Sequence, residues 1–424
     1  MVFTDEKTPL RLRLALALAI VVLTVAFLMP GGLLWRDLAG FLAWGDAHGP
    51  MLGDFVIVWQ PTGEIFRSHR EPSPGFFYTG FFATCLWFFV KTIGKIGLAW
   101  HAWLVGQILA AVLAWAIVAT DFRLWRRPVW LALWTSLFAL SYPLLHNLRW
   151  GQVSTPLLAL SLLALHLGRR GGWAGPVGAF ALALASAIKF YPAIYAIGPF
   201  LRGRFRFVIG AAATTIFLLI VPPSLILGPA GLIEYHRQIA AMIAGAAWWV
   251  KLDPNSSYFA SWAIWRFVYT GPTADAVRPL LVAVGVLVFL GQLALCWMVR
   301  RRSAFESDYW CFVLISLGLP FVVGTSWPHY FVFLPVCIVF LARELHRTVY
   351  TTAERRWLAG LFLIPAALLL LAPVRTVLPV LYGEWTPLSV TEVYRTLGVL
   401  MFANILLMTL AGLLLLRQSK LRSE

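Results

Sequence analysis

Long apolar runs recur along the whole chain, and they constrain its fold more than any other feature of the sequence. A helix needs about 20 apolar residues to cross the hydrocarbon core of a bilayer. The runs that approach this length predict about twelve spans, at residues 14–30, 76–96, 98–120, 129–145, 153–167, 174–201, 207–227, 276–299, 310–325, 330–342, 357–373 and 397–416. We therefore expect an all-α polytopic membrane protein that forms one domain over residues 1–424.

The composition agrees with this class of protein. Of the 424 residues, 60% are hydrophobic and 12% are charged, whereas soluble domains average about 25% charged residues. The mean hydropathy is +0.80. These values exclude a soluble enzyme, a disordered protein and a nucleic-acid-binding module. The four cysteines show no spacing typical of a disulfide framework or a zinc site, so we expect no metal.

The basic residues predict how the chain is oriented. The net charge of +16 comes from 34 basic residues against 18 acidic ones, and the basic residues cluster beside apolar runs. Cytoplasmic loops of membrane proteins carry such clusters. Lys7, Arg11 and Arg13 precede the span 14–30, and no cleavage signal follows it. We therefore expect an uncleaved signal anchor and, with an even number of spans, both termini in the cytoplasm.

Two basic clusters contradict simple alternation of the spans. Residues 123–127 and 169–170 fall on the external side if every predicted span crosses the membrane. To bring both clusters to the cytoplasmic side, the number of membrane crossings must change at two places. One change must come before the first cluster, and a compensating one must come after the second cluster. A break near Lys189, dividing 174–201 into two short half-spans, can supply the second change. The sequence offers no firm candidate for the first.

Three stretches are too polar to span the membrane and too long to be turns. We expect residues 31–75, 228–275 and 374–396 to form three external loops. The first two are rich in aromatic residues, which predicts amphipathic helices lying on the membrane surface. The first loop also carries five of the 18 acidic residues, which makes it a candidate active-site loop: Asp37, Asp46, Asp54, Glu64 and Glu71.

Asp54 stands directly before a short apolar segment that ends at Trp59. An Asp in this position is a common helix N-cap. A carboxylate in an acid-bearing loop is also suited to act as a general base. The residue pattern alone leaves both roles open.

Lys189 is the one charge deep within an apolar run. Insertion scales assign a lysine at such a depth a cost of about 2.5–3.5 kcal/mol, so a partner or a function is expected. No Asp or Glu lies inside any predicted span. This disfavours a proton-coupled transporter and indicates an anionic ligand, such as a lipid phosphate, as the partner of Lys189. The alternative is a lysine that extends its side chain to the interface.

Polar residues at the ends of other predicted spans are further candidates. Arg149 and Gln152 join two spans, where they can hold a phosphate or a sugar hydroxyl or serve as ordinary interfacial residues. His329 lies between Trp327 and Tyr330. It is either a residue of the interfacial aromatic belt or a group that orients a carboxylate or shares a proton with it.

Taken in order, these motifs resemble those of the bacterial polyprenyl-phosphate-mannose-dependent α-(1→2)-mannosyltransferases, a family of GT-C membrane glycosyltransferases. The residues that carry the resemblance are Asp54-Phe55, Phe76-Phe77-Tyr78, Gly151-Gln152, Lys189 with Pro192, Asn255-Ser256 and Ser326-Trp327-Pro328-His329-Tyr330. Two motifs depart from the family. Ser73-Pro74-Gly75 stands where Tyr-Pro-Pro is common, and Asn255-Ser256-Ser257 stands where Asn-Gln-Ser is usual.

The resemblance implies a GT-C type helical bundle that transfers a hexose, mannose first, from a polyprenyl-phosphate donor to a lipid or glycan hydroxyl. Transfer would invert the configuration and occur on the external face of the cytoplasmic membrane. Asp54 would be the general base, and His329 would polarise or protonate Asp54 or contact the acceptor. Other residues implied to bind substrate are Lys189, Arg149 and Arg70 at the leaving phosphate, with Tyr78, Trp59, Gln152, Asn255 and Ser256. No cofactor and no nucleic acid is implied, and membrane lipids are expected partners.

Two alternatives remain. An arabinofuranosyl- or glucosyltransferase of the same fold would carry the same motifs. A lipid flippase or transporter belongs to another class of protein. The acid-bearing first loop and the acid-free spans favour the enzyme over that second alternative.

Overall fold

The computed structural model describes residues 52–68, 76–94, 98–250, 258–268, 272–324, 326–347, 351–370 and 398–420. Every regular element within these ranges is a helix, which confirms the all-α prediction for this part of the chain. Helices are expected in lipid because each backbone N–H and C=O needs a partner within its own segment. The predicted span 14–30 and the predicted loop 374–396 lie outside the described residues.

The α-helices are, in chain order, α1 (Gln60–Ile65), α2 (Gly80–Thr92), α3 (Ala99–Asp121), α4 (Pro128–Ala139), α5 (Tyr142–Trp150), α6 (Ser154–Gly168), α7 (Ala174–Ile188), α8 (Ile197–Leu201), α9 (Phe205–Val250), α10 (Phe259–Ala263), α11 (Pro272–Val299), α12 (Ala304–Gly318), α13 (Leu334–Arg347), α14 (Thr352–Leu369) and α15 (Val399–Lys420). π-Helical turns at Phe55–Trp59 and Ile264–Val268 precede α1 and follow α10, and 3-10 turns at Tyr191–Ala196 and Pro328–Phe333 precede α8 and α13.

Five helical segments of the described residues are long and apolar enough to cross a membrane: Ala99–Asp121, Phe205–Met242, Ala276–Val299, Pro328–Arg347 and Val399–Gln418. α4 and α5, which meet at 44°, form a sixth candidate if they are one bent span. The prediction of about twelve spans is therefore not confirmed, because breaks and caps shorten several of them. α2, for example, begins at its Thr79 cap and has 13 residues. At 1.5 Å per residue it is about 20 Å long, against a hydrocarbon core of about 30 Å.

The bundle has two chemically different ends. We call one the arginine end, where α3 and α6 end near α12; there Arg169 and Tyr309 both donate hydrogen bonds to Asp121. The other, the Asp54 end, is where α5 ends and α6 begins, beside Asp54.

Basic clusters from distant parts of the sequence meet at the arginine end. Further polar contacts there are Arg204 with Asp308, Arg347 with Glu306 and Arg302 with Gln418. Residues 123–127 and 169–170, which contradict simple alternation, lie at this same end, directly after α3 and α6. The chain therefore contains the two compensating changes that the charge pattern requires.

The first compensating change is that α2 stays at one end of the bundle. Tyr78, two residues before α2 begins, donates to Gln152 at the Asp54 end. Phe89, near the other end of α2, packs against Trp103 in the first turns of α3, with ring centroids 5.9 Å apart. Both ends of α2 thus contact the Asp54 end, so the predicted span 76–96 does not connect the two ends of the bundle.

The second compensating change is the predicted break at Lys189, which the structure confirms. α7 reaches the Asp54 end, where the Thr79 hydroxyl donates to the Ala187 carbonyl. Lys189 then has an extended backbone, with φ −148° and ψ 134°. The following 3-10 turn and α8 return to the arginine end, where Arg204 donates to the Gly168 carbonyl at 3.4 Å.

α12 and α13 form the centre of the bundle. Every residue of 307–318 and of 334–341 is buried, and a helix that is apolar on all sides is typical of a buried position. α9 and α11 instead expose large apolar side chains such as Ile209, Phe217 and Leu287. Exposed apolar faces of this kind are typical of surfaces that contact lipid.

α9 bends at Gly228, which has φ 72° and precedes Pro229. Glycine adopts this left-handed φ without steric cost. Beyond the bend, His236 packs over Gly80 at the start of α2, and a Cβ atom at Gly80 would lie 3.1 Å from His236 Cε1. The predicted second loop, residues 228–275, therefore begins as a helix that lies against the Asp54 end.

Candidate active site

The segment that carries Asp54 is fixed by close packing against the junction of α5 and α6. Leu52 N donates to Arg149 O at 2.7 Å, and Leu52 has φ 59°, which is uncommon for a residue other than glycine. Gly53 lies against an indole ring, and a Cβ atom there would be 2.9 Å from Trp150 Cε3. These two contacts set the position of Asp54.

Gly151 connects this junction to α3. It ends α5 with φ 66°, as the residue after a helix often does. Its carbonyl accepts a hydrogen bond from Trp103 Nε1 at 2.8 Å. The Trp103 ring in turn stacks on Phe55, with centroids 4.9 Å apart, so the residue after Asp54 is also held.

Asp54 does not cap a helix. Its backbone is already helical, with φ −67° and ψ −32°, and its side chain makes no capping hydrogen bond. Burial raises the pKa of the Asp54 carboxyl from 3.8 to about 7, an effect that the positive charge of Lys189 opposes. A carboxyl group with this pKa exchanges a proton near neutral pH. The sequence leaves two roles open for Asp54, and the role of helix cap is wrong because the side chain makes no capping hydrogen bond.

Two tyrosines enclose Lys189 at the break after α7. Lys189 Nζ lies 4.6 Å from the ring centroid of Tyr78 and 4.3 Å from that of Tyr330, and it donates to the Tyr330 hydroxyl. Cation–π contacts stabilise an ammonium group that has lost water. Both tyrosines are only 6% exposed and Lys189 is half-buried, so the two rings hold the ammonium group in place.

Tyr78 connects Lys189 to Gln152. The Tyr78 hydroxyl donates to Gln152 Oε1 at 2.8 Å, and both side chains are buried. Because Oε1 is engaged, Gln152 can meet a ligand mainly as a donor, through its amide nitrogen. Tyr78 is also within electrostatic reach of Asp54, so these predicted site residues lie together at one end of the bundle.

Two histidines lie face to face beside this group. The rings of His146 and His329 have centroids 5.7 Å apart, and His329 is within electrostatic reach of Lys189. In the described ranges, the buried Nδ1 atoms of both histidines make no hydrogen bond. No hydrogen bond joins His329 to Asp54, so the expected proton sharing between them requires a rearrangement or an intervening ligand. Arg149 is buried in the last turn of α5 and acts electrostatically on His146.

Other predicted site residues are placed differently. Trp59 is 1% exposed and packs edge-on against Tyr78, with ring centroids 5.6 Å apart. In this packing Trp59 positions Tyr78 and offers no surface to a substrate. Arg70, Asn255 and Ser256 lie outside the described residues.

Tyr330 and His146 also lie at the candidate site, although the sequence assigned neither of them a role there. Tyr330 is the hydroxyl partner of a lysine 141 positions away in the sequence, and spacing gives no sign of such a pair. His146 precedes Arg149 by three positions, which places the two on one helix face, but its stacking on His329 depends on the tertiary fold.

The arrangement combines a proton acceptor, a fixed cation and hydrogen-bond donors at one end of an apolar bundle. Displacement of a phosphate leaving group by a hydroxyl requires these elements, since the hydroxyl must lose a proton and the phosphate gains charge. Among the described residues, no three His, Cys, Asp or Glu side chains are placed to hold a metal ion.

The sequence profile of glycosyltransferase family 87 matches residues 76–323. The matched range is more than half of the chain and contains Tyr78, Gln152 and Lys189, whereas Asp54 precedes it and His329 follows it. Comparison with curated proteins and with solved structures finds no significant match. The match over this range, in an all-helical bundle with apolar spans, shows that the chain belongs to glycosyltransferase family 87.

Proposed function

We propose that the protein transfers a hexose, with mannose as the first candidate, from a polyprenyl-phosphate donor to a hydroxyl group of a lipid or glycan acceptor. The family match supports the transfer of a sugar. The observation that carries the choice of donor is the position of Lys189. It is a cation held by two tyrosines in an apolar bundle, within electrostatic reach of Asp54.

In this proposal Asp54 is the general base. The proton of the acceptor hydroxyl passes to the Asp54 carboxylate while the acceptor oxygen bonds to the anomeric carbon. The bond from that carbon to the phosphate oxygen breaks, and its electron pair leaves with polyprenyl phosphate. One displacement inverts the configuration. The pKa of about 7 suits this role, because a base is most effective when its pKa lies near the working pH.

Lys189 is proposed to stabilise the leaving phosphate. Negative charge accumulates on the phosphate as the glycosidic bond breaks, and a positive group fixed before the reaction stabilises that charge without reorganising. The two tyrosines hold the Lys189 ammonium in this way. Arg149, at the end of α5, is a second cation for the same phosphate.

Gln152 and the histidines are proposed to bind the sugar and the acceptor. The Gln152 amide nitrogen can donate to a sugar hydroxyl while Tyr78 holds its Oε1. His329 and His146 both have a buried Nδ1 that makes no hydrogen bond in the described part of the chain. We assign His329 to the acceptor hydroxyl, because its ring nitrogen can accept or donate a hydrogen bond when a hydroxyl binds beside it.

We propose that the arginine end faces the cytoplasm and that the Asp54 end faces the external side of the cytoplasmic membrane. The positive-inside rule supports this orientation, because basic residues near the ends of spans are retained in the cytoplasm. A donor whose polyprenyl tail stays in the bilayer would then present its phosphate to Lys189 from the external leaflet.

Label transfer from polyprenyl-phosphate-mannose to a membrane lipid extract tests the proposal. The experiment uses the purified full-length protein in nanodiscs, Asp54→Asn and a matched control, Glu64→Gln. Glu64 is an exposed acid of α1 that accepts a hydrogen bond from Gln60. We expect transfer by the wild type and by Glu64→Gln, and a loss of about a hundredfold or more in Asp54→Asn.

The remaining outcomes distinguish the alternatives. Equal transfer by Asp54→Asn and the wild type would refute the assignment of the base. Transfer from an arabinose or glucose donor alone would keep the mechanism and change the sugar. A protein that transfers no sugar, but moves lipid between the leaflets of a liposome irrespective of Asp54, would be a flippase.

A further inference from the structure

A cavity of about 310 Å³ lies at the arginine end of the bundle. Aromatic and basic side chains dominate its lining: Phe122, Trp130, Arg127, Arg343, His346 and Arg347. Its elements are the turn after α3, the start of α4 and the last turns of α13. Its volume is at the lower end of the range of about 300–1,000 Å³ that is typical of small-molecule sites.

This cavity is remote from Asp54. Trp103, which stacks on the residue after Asp54, precedes the cavity residue Phe122 by 19 positions along α3. At 1.5 Å per residue these positions are about 28 Å apart. The cavity therefore cannot belong to the site around Lys189, and it lies about one bilayer thickness away from it.

The described lining of the cavity is basic. It includes no Asp or Glu among the residues that the structure describes. Two carboxylates lie behind the lining: Glu306 pairs with Arg347 at 2.6 Å, and Glu344 lies 3.4 Å from Arg343. Arg127 and His346 are further basic residues of the lining.

Arg343 is the best-defined of these cations. Its guanidinium lies 4.5 Å from the Phe305 ring centroid and 6.0 Å from that of Phe122, which holds it in place. Its Nη1 atom is buried and lies 3.4 Å from Glu344 Oε1, an ion pair without a hydrogen bond among the described residues. Arg127 and Arg347 both lie within electrostatic reach of it. Glu306 and Glu344 neutralise charge behind the lining, while the three guanidinium groups that line the cavity itself favour an anion within it.

We propose that this cavity is a binding site for a phosphate ester. Guanidinium groups bind phosphate oxygens in pairs of parallel hydrogen bonds, and Phe122 and Trp130 supply an apolar wall for the carbon skeleton attached to the phosphate. Basic cavities between membrane helices at a leaflet surface bind anionic lipid headgroups. A phospholipid phosphate or a soluble phosphate ester of similar size can supply the same chemistry.

Native mass spectrometry of the full-length protein in detergent tests this site. One titration uses dioleoylphosphatidylglycerol, with dioleoylphosphatidylcholine as the neutral lipid control, and a second uses sn-glycerol 3-phosphate. The site variant is Arg127→Gln/Arg343→Gln. The control, Arg300→Gln/Arg301→Gln, removes the same charge from the same end of the bundle at positions that do not line the cavity.

We expect one bound anionic ligand per chain, with an affinity that falls about tenfold or more in the site variant and is unchanged in the control. Asp54→Asn should bind as the wild type does, which separates this site from the proposed active site. Binding of the lipid alone identifies a headgroup site, and competition by glycerol 3-phosphate identifies a soluble ester. If neither probe binds, or if the site variant and the control lose affinity equally, the proposal is wrong.

If the double site variant does not fold, Arg127→Lys/Arg343→Lys replaces it. This variant keeps both charges but loses the planar guanidinium fork. A phosphate site should again bind more weakly, whereas a general attraction to positive charge would be unchanged. An unchanged affinity in this variant would overturn the proposal.

Discussion

The ammonium group of Lys189 lies over the ring of Tyr78, 4.6 Å from its centroid. The hydroxyl of the same tyrosine donates to Gln152 at 2.8 Å. One side chain thus positions both the cation that we assign to the donor phosphate and the amide that we assign to the sugar. The two functions of Tyr78 can be separated by substitution.

We expect Tyr78→Phe to lower kcat/KM about five- to tenfold, because it keeps the ring and removes a hydrogen bond worth about 1 kcal/mol. Tyr78→Leu removes the aromatic face as well, and it should also raise the KM for the donor, because Lys189 loses one of its two rings. Steady-state kinetics with varied donor concentration measure both effects. If Tyr78→Leu leaves the donor KM at the Tyr78→Phe value, the ring does not position the lysine.

The pH profile of the reaction should report Asp54. The base acts only as a carboxylate, and Lys189 stabilises the phosphate only as an ammonium group. We therefore expect kcat/KM to rise from acid as pH passes through the Asp54 pKa of about 7, and to fall again at higher pH as Lys189 loses its proton. The Lys189 charge lowers the Asp54 pKa, so its loss in Lys189→Met should move the acid midpoint to higher pH, lower the maximum rate and remove the fall at higher pH. Rates measured across the pH range decide the point, and a midpoint that stays fixed in Lys189→Met would contradict the coupling.

Gly53→Ala should reduce activity far more than it reduces stability. A Cβ atom at Gly53 would lie 2.9 Å from the Trp150 ring, so the segment must shift and carry Asp54 with it. Gly106→Ala is the matched control, because no atom lies within 4 Å of a Cβ atom there. In a helix this control should be neutral or stabilising by up to about 1 kcal/mol. Sugar-transfer rates and thermal unfolding of both variants test the prediction, and equal activity in the two would refute it.

Asp121→Asn should lower Tm without touching the proposed active site. Asp121 accepts from Arg169 and Tyr309, and it contacts His166 at 2.6 Å. Breaking a buried pair by removing one charge typically costs about 3–5 kcal/mol. The control is Glu234→Gln, whose partner Arg237 is exposed, and which should change stability by about 1 kcal/mol or less. A Tm of Asp121→Asn that equals the control value would show that the network is not stabilising.

The positions of the helices were largely predictable from the sequence. The predicted span 98–120 differs from α3 (Ala99–Asp121) by one residue at each end, because polar residues limit the apolar run there. The path of the chain was less predictable. The run 76–96 is apolar enough to suggest a crossing, and only the contact of Phe89 with Trp103 shows that α2 stays at one end.

The candidate site was predictable as a set of residues and not as a set of contacts. The cost of a charge in an apolar run indicated that Lys189 has a partner, but Tyr330 lies 141 positions away. The role of Asp54 depended on its backbone angles and on a missing capping bond, and composition reports neither. His146 required the stacking on His329, which only the packed bundle creates.

During synthesis, Lys189 leaves the ribosome 141 positions before Tyr330. Until Tyr330 arrives, the ammonium group has the face of Tyr78 and no hydroxyl acceptor, so lipid is an unfavourable surrounding for it. The nascent chain must therefore keep the segment around Lys189 in contact with water or with the insertion machinery while the later helices are translated. The enclosure of Lys189 is thus complete only after Tyr330 has been translated, and a chain that stops before Tyr330 carries a charge that lacks one of its two covering rings.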